Sequence, residues 1–99
     1  MIPLSSAAEA ALAALTNHYA LLGRDRAIDR LVASIEAACA RFERERGQFY
    51  DAPRPYPGLA ELGLRWTKEG PYWIAFAVTH EGPVVAGVFH DGADIPNRI

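Results

Sequence analysis

The sequence predicts an α+β domain, in which an N-terminal antiparallel helix hairpin packs on one face of a small, three- to four-stranded antiparallel sheet. Three observations predict this class. Apolar residues recur at steps of three and four through the first half of the chain, the period changes to two from Leu62 onward, and a proline-rich stretch separates the halves. Because 99 residues are the length of one domain, residues 1–99 are expected to share a single core.

The first helix is predicted over Ala7–Leu22. Its apolar stripe is Ala8, Ala11, Leu12, Leu15, Tyr19 and Leu22. Ser5 and Ser6 followed by Glu9 form a capping-box pattern, in which the Ser6 hydroxyl accepts from a free backbone N–H and Glu9 reaches back. Gly23 supplies the left-handed stop at the other end.

A second helix is expected to be capped by Asp25 and to end at Gly47. Its apolar stripe is Ile28, Leu31, Ile35, Ala38, Cys39 and Phe42. Only Gly23 and Arg24 separate the two helices, and so short a link requires an antiparallel pair. The opposite face of the second helix carries charges of both signs, which indicates a solvated face, with a partner-binding face as the alternative.

The region from Gln48 to Gly58 is predicted to be a connector, because its three prolines at positions 53, 55 and 57 prevent a helix or a central strand. A first strand follows, in which Leu62, Leu64 and Trp66 alternate with other residues before a turn.

Two further strands are predicted over Tyr72–Thr79 and Val84–Phe89, so that the three form a meander. Met1–Leu4 is a candidate fourth, edge strand, where Pro3 is tolerated.

The composition indicates the cellular compartment and the classes of partner that are expected. The one cysteine cannot form an internal disulfide and Met1–Ser5 is too short for a signal peptide, so a cytoplasmic location is expected. The longest uncharged stretch, Gly70–His80, is about half of the ~20 residues that a membrane helix needs, so no membrane is expected as a partner. A net charge of −2 and a pI near 5.9 argue against tight direct binding to nucleic acid.

Polar groups near the predicted sheet are few. They are Arg65, Lys68, Tyr72, His80, His90, Asp91, Asp94 and Arg98. His90 and Asp94 are expected to lock the end of the sheet, with Asp94 bonding local backbone, because His-Asp at a strand exit usually makes turn hydrogen bonds. No metal site is therefore predicted. The sequence contains no phosphate loop or nucleophile elbow, so no cofactor is expected, and Cys39 is expected to be a buried apolar residue.

The order of the predicted elements and motifs along the chain is more informative than any single motif. Behind the helix hairpin and the connector, the chain reads Pro57-Gly58-Leu59, Leu64-Arg65-Trp66, Gly70-Pro71-Tyr72-Trp73-Ile74-Ala75-Phe76 and Val84-Val85-Ala86-Gly87-Val88-Phe89-His90-Asp91-Gly92-Ala93-Asp94-Ile95-Pro96. This order resembles the toxins of the RelE/ParE superfamily, and the resemblance covers nearly the whole chain.

The resemblance implies a small cytoplasmic bacterial toxin, encoded beside an antitoxin whose C-terminal segment wraps over it and neutralises it. RelE-type members cut mRNA on the ribosome, a reaction that needs a base, an acid and cations on the developing phosphorane charge. Arg65, Lys68, Tyr72 and His90 would be the catalytic residues of such an enzyme here. ParE-type members have no known cleavage chemistry and act by binding DNA gyrase.

This sequence departs from the ribonuclease pattern. Trp73, Ala75 and Ala77 stand on the second strand where ribonuclease members tend to place Arg or Lys, and Gly87 stands where an Arg is common. The two cations that remain on the sheet are too few to hold a phosphate transition state. The ParE-like, non-enzymatic branch, with DNA gyrase as the target, is therefore preferred.

The side chains expected to bind a partner are Trp66, Tyr72, Trp73, Asp94 and Arg98, with the aromatic residues divided between the core and an antitoxin groove. A RelE-like, ribosome-dependent mRNA endoribonuclease stays open as an alternative. So does a ParE-shaped protein-binding module that has lost toxicity, since Gly87 and Ala93 stand where ParE members often carry Arg. A binding module unrelated to toxins is the remaining alternative.

Overall fold

A computed structural model describes residues 2–99 and confirms the predicted α+β class, with two helices followed by a three-stranded antiparallel sheet. The helices are α1 (Ser6–Leu21) and α2 (Asp25–Glu45), and the strands are β1 (Arg65–Glu69), β2 (Tyr72–Thr79) and β3 (Gly82–His90). Three short 3-10 helices span Arg46–Gln48, Pro57–Leu62 and Ile95–Asn97. Neither α1 nor α2 combines the length and the apolar character that a membrane crossing requires.

The cap of α1 lies one residue earlier than the sequence predicts. The Ser5 hydroxyl oxygen accepts a hydrogen bond from the Ala8 N–H at 3.1 Å, so the predicted cap at Ser6 is wrong. Gly23 adopts the positive φ of 67° that the helix stop needs. Leu22 was expected on the buried stripe, but it is 57% exposed, because it lies beyond the last turn of α1 at the tip of the hairpin.

The predicted stripe of α2 packs against the sheet. Its buried members are Leu31, Ile35, Ala38, Cys39 and Phe42, and Ile28 is partly buried. Asp25 is the first residue of the helix and not its cap, so its charge acts on the helix dipole from the first turn. The helix ends at Glu45 and continues as 3-10 helix through Gln48, past the expected stop at Gly47.

One residue of the charged face of α2 departs from the predicted solvated face. The Arg41 guanidinium donates to Thr67 Oγ1 at 2.7 Å and to Glu69 Oε1 at 2.5 Å. Thr67 is buried, so this bond satisfies its hydroxyl. Arg41 therefore ties α2 to β1.

The three strands form the predicted meander in the order β1-β2-β3. β2 has the predicted bounds, and Tyr72 pairs with His90 at one end of it. The expectation of a strand from Leu62 is wrong, because Pro57–Leu62 forms a 3-10 helix and the strand begins only at Arg65. Ala75 pairs with Gly87 and Phe76 with Val85, so β3 contains one extra residue there, a β-bulge.

The candidate fourth strand is reduced to a single bridge. Leu4 lies beside Val85 in a parallel arrangement, the Val85 N–H donates to the Pro3 carbonyl at 2.8 Å, and the Ser5 N–H donates to the Val85 carbonyl at 2.9 Å. Met1, the first residue of the predicted strand, lies outside the described residues. The N-terminal segment therefore covers β3 at Val85 and then enters α1.

Both faces of the sheet are covered. The helix-side cluster contains Phe42, Phe49 and Phe76, and the rings of Phe42 and Phe76 stack at 4.4 Å between centroids. On the opposite face, a second cluster of Trp66, Trp73, Ala75 and Ile95 packs under the connector and the C-terminal segment. The sheet therefore offers no bare face for a ligand within residues 2–99.

Candidate functional site

Tyr72 is part of a buried link between the sheet and α1. Its hydroxyl lies 2.6 Å from the hydroxyl of Tyr19, and its side chain is 2% exposed. Burial, together with the hydrogen bond to Tyr19, raises the pKa of the Tyr72 hydroxyl. This hydroxyl therefore contributes a hydrogen bond inside the core and stays in its neutral form.

His90 stands beside Tyr72 at the open end of the sheet, with the two rings perpendicular and 5.8 Å apart. The Gly92 N–H donates to His90 Nδ1 at 3.0 Å, so the neutral ring carries its proton on Nε2. His90 therefore makes the turn bond that the sequence predicts for this position. His80 lies in the β2–β3 turn, at the opposite end of the strands.

Lys68 lies on the face of the sheet that is turned away from the helices. Side chains alternate along β1, so Lys68 lies on the other face from Thr67, which contacts α2 through Arg41. The Lys68 Nζ lies 3.0 Å from Asp91 Oδ2, and this hydrogen bond lowers the pKa of the Asp91 carboxyl. The ammonium of Lys68 is thus paired across β2, away from the Tyr72 hydroxyl.

Arg65 is remote from the other three candidate catalytic residues. It pairs in register with Phe76, which is four residues along β2 from Tyr72, or about 13 Å at the rise of a strand. Its guanidinium forms an ion pair with Asp51 of the connector. The structure brings Tyr72 and His90 together and leaves Arg65 apart from them. Lys68 is joined to His90 through the Asp91 carboxylate, whose Oδ1 lies 3.4 Å from His90 Nδ1.

Of the five residues expected to bind a partner, the three aromatic ones are buried. Trp66 is 0% exposed, Tyr72 is 2% exposed and Trp73 is 5% exposed. The two tryptophans face the second cluster, which the connector and Ile95 close off. The expectation that these three residues line a partner groove is therefore wrong, since the side chains belong to the core.

Gly87 makes room for the packing on the face of the sheet that carries Trp66 and Trp73. A Cβ at this position would lie 2.6 Å from Cε2 of Phe89, so the absence of a side chain lets the Phe89 ring fold over the strand. The ring then reaches Trp66, with 5.8 Å between the centroids. An Arg at this position would displace Phe89.

Asp94 and Arg98 remain on the surface. Asp94 accepts a hydrogen bond from the side chain of Asn97, and not from the local backbone as expected. The Arg98 N–H donates to the carbonyl of the buried Ile95 at 2.9 Å, which holds the C-terminal turn against the sheet. Arg98 therefore presents its guanidinium from an anchored backbone.

A groove of about 770 Å³ lies between α1, the end of β3 and the C-terminal turn. We call it the α1–β3 groove. The residues that line it are Ala7, Ala10, Ala11, Ala14, Leu15, His18, Val88, Phe89, His90, Ala93, Asn97 and Arg98. Among the sequence candidates it contains His90 and Arg98 only. The alanines of α1 are the available sequence signal for the groove, but an alanine-rich stretch is equally typical of any stable helix.

No three His, Cys, Asp or Glu side chains in residues 2–99 are placed to hold a metal ion. Burial raises the pKa of the Cys39 thiol, in agreement with its place on the inner stripe of α2. Comparison with protein-family models, with curated proteins and with solved structures finds no match to this chain.

Proposed function

We propose that this chain is the ParE-like toxin of a type II toxin–antitoxin pair, that it binds DNA gyrase, and that a cognate antitoxin neutralises it in the cytoplasm. The observation that carries the proposal is that the four residues that RNA cleavage would need do not converge on one phosphate, since Arg65 lies at the other end of β1 and Tyr72 is buried. The order of helix hairpin, connector and three-stranded meander supports it, because the resemblance to the RelE/ParE superfamily depends on that order.

Cleavage of RNA by its own 2′-OH needs an acid, a base and cations within hydrogen-bonding reach of one phosphate. Arg65 is held by Asp51 at the far end of β1, and Lys68 is held by Asp91 on the opposite face of the sheet. Tyr72 is buried against Tyr19. His90 is exposed, but its Nδ1 lies 3.4 Å from the carboxylate of Asp91, the residue that also holds Lys68. A phosphate at this place would have to displace that carboxylate.

Binding to another protein requires only a complementary surface, and two features supply one. The α1–β3 groove has an apolar floor with His90 and Arg98 at its border. The tip of the helix hairpin exposes the consecutive residues Leu21 and Leu22. The groove and the hairpin tip are therefore two separate surfaces, one of which can bind the antitoxin and the other the target.

A second candidate is a ParE-shaped module that pairs with an antitoxin but is not toxic. Gly87 favours it, because a Cβ at this position would lie 2.6 Å from the Phe89 ring, which leaves no space for the Arg that ParE members often carry there. Ala93, where the family also often has Arg, lines the α1–β3 groove without adding charge.

Expression of the chain alone in a bacterium, followed by co-expression with the product of the adjacent small gene, tests the proposal. The toxin predicts arrested growth and rescue by the neighbour. Arg65→Ala and Lys68→Ala, two exposed sites outside the α1–β3 groove, should leave the arrest unchanged if the chain acts by binding. Loss of the arrest in both folded variants would favour the endoribonuclease, and full growth with the soluble wild-type chain would favour the non-toxic module.

A further inference from the structure

The Nδ1 atom of His90 lies between a hydrogen-bond donor and a carboxylate. The Gly92 N–H donates to this atom at 3.0 Å, and Asp91 Oδ1 lies 3.4 Å from it. An unprotonated ring nitrogen accepts from the N–H and makes no hydrogen bond with the carboxylate, whereas a protonated one donates to the carboxylate and no longer accepts. The two partners therefore require opposite protonation states of the same atom.

The charged and titratable side chains around His90 belong to four segments of the chain. They are Lys68 on β1, Tyr72 on β2, His18 on α1, and Asp91, Asp94 and Arg98 behind β3. Within residues 2–99, the Asp91 carboxylate is the charged group that lies within ion-pair distance of the ring. Lys68 holds the other oxygen of that carboxylate, Oδ2, at 3.0 Å, so Oδ1 is the oxygen left for the ring.

The turn that follows β3 is fixed at its two ends and depends on the ring in its middle. The Asp91 N–H donates to the Pro71 carbonyl at 2.8 Å, and the Ala93 N–H donates to the His90 carbonyl at 3.0 Å. Between them, the Gly92 N–H has the ring nitrogen as its acceptor, and a Cβ at Gly92 would lie 3.3 Å from that nitrogen. Gly92 is therefore the part of the turn that must rearrange when the ring stops accepting.

The β2–β3 turn repeats the same order of residue types without these contacts. His80-Glu81-Gly82 matches His90-Asp91-Gly92 in sequence. Gly82 pairs with Thr79 across the turn, and the Glu81 N–H donates to Thr79 Oγ1 at 3.2 Å. Within residues 2–99, the His80 ring makes no ion pair. The chain thus contains an internal control for a histidine whose ring does not hold the following turn.

We propose that His90 is a proton switch at the border of the α1–β3 groove. The neutral ring holds the Gly92 N–H. A proton taken from solvent onto Nδ1 breaks that bond and forms a hydrogen bond to the Asp91 carboxylate, which then bridges His90 and Lys68. The side chain is 45% exposed, and histidine is the residue type that changes charge between about pH 5 and 8.

Two features of the groove border change as the pH falls through this switch. His90, which lines the groove, gains a positive charge, and the Gly92 N–H beside it becomes a free donor. The switch goes beyond the proposed function and does not depend on it, because it needs no partner.

The test is an NMR titration of the uniformly 13C,15N-labelled full chain from about pH 8 to about pH 5. The Gly92 amide proton is expected to move upfield in step with the His90 ring, because it loses its acceptor. The Asp91 carboxyl carbon is expected to shift with the same midpoint. In the same sample, the Gly82 amide and the Glu81 carboxyl carbon are expected to shift only slightly as the His80 ring takes up its proton.

Two matched variants test the role of the carboxylate. Asp91→Asn should move the midpoint of the Gly92 shift to lower pH, because the protonated ring loses the charge that receives its Nδ1 proton, and Glu81→Gln should leave that midpoint unchanged. Similar shifts at Gly92 and Gly82 would overturn the proposal. So would a Gly92 midpoint that is the same in Asp91→Asn and the wild type, or ring 15N shifts that place the proton of neutral His90 on Nδ1.

Discussion

Gly87→Ala is the substitution whose effect the structure defines best. The new Cβ would lie 2.6 Å from Cε2 and 2.8 Å from Cζ of Phe89, about 1 Å inside normal carbon contact. Gly87 has no positive φ, so the substitution causes no backbone strain. The Phe89 ring must move off Trp66, and overpacking of this kind costs about 1–3 kcal/mol of the free energy of unfolding.

The effect should depend on the ring. In a Phe89→Ala background the two contacts below 3 Å are removed, and Gly87→Ala should then stabilise the chain by about 0.5–1 kcal/mol through reduced entropy of the unfolded state. The two backgrounds should therefore differ by about 2 kcal/mol. Urea unfolding of the four proteins, followed by far-UV circular dichroism, measures this difference.

Gly47→Ala and Gly58→Ala are matched controls, because a Cβ at either position meets no atom within 4 Å. Both should change the stability by less than about 1 kcal/mol. If Gly87→Ala is as stable as the wild type, or is destabilised equally in both backgrounds, the packing of Phe89 over Gly87 is refuted.

Three further predictions concern single groups. Tyr72→Phe should lower the free energy of unfolding by about 1–2 kcal/mol in urea titrations, because the Tyr19 hydroxyl loses its buried partner; an unchanged midpoint contradicts the link. The Asp91 carboxyl, followed by NMR, should titrate below its ordinary pKa and move back toward it in Lys68→Met, and an unchanged pKa in that variant contradicts the pair. Its contribution to stability is present above the unfolded pKa and disappears as the pH falls through the lower folded value. The Cys39 thiol should react with a disulfide reagent far more slowly in the native chain than in denaturant, and equal rates would show that it is not buried.

The parts of the fold that the sequence predicts well are those with a local signal. The stripe of α2 repeats at helical spacing over about four turns, and nearly all of it is buried. β2 is bounded by turn residues on both sides, and its bounds are as predicted. In both elements, propensity, periodicity and burial agree.

The errors arise where distant segments decide the outcome. Leu62 and Leu64 alternate like strand residues, but Leu62 is in a 3-10 helix and Leu64 packs on the second cluster that Ile95 completes from the other end of the chain. Helix caps also differ by one residue, because Ser5 and Ser6 offer the same hydroxyl and only the path of the N-terminal segment along β3 selects Ser5.

The site was less predictable than the fold for the same reason. Burial of Tyr72 depends on Tyr19, which is 53 residues away along the chain. The sequence alone does not show whether Trp66 and Trp73 face solvent or the core, because their burial depends on the connector that packs over them. The α1–β3 groove is formed by alanines that carry no chemical signal and by a C-terminal turn whose position no local pattern determines.

The most direct test of the central claim, that this chain acts by binding and not by cutting RNA, is a supercoiling assay with purified DNA gyrase in the presence and absence of the protein. Loss of supercoiling with accumulation of cleaved DNA is the predicted result. Normal gyrase activity, together with truncated mRNA in a parallel translation reaction, would contradict it.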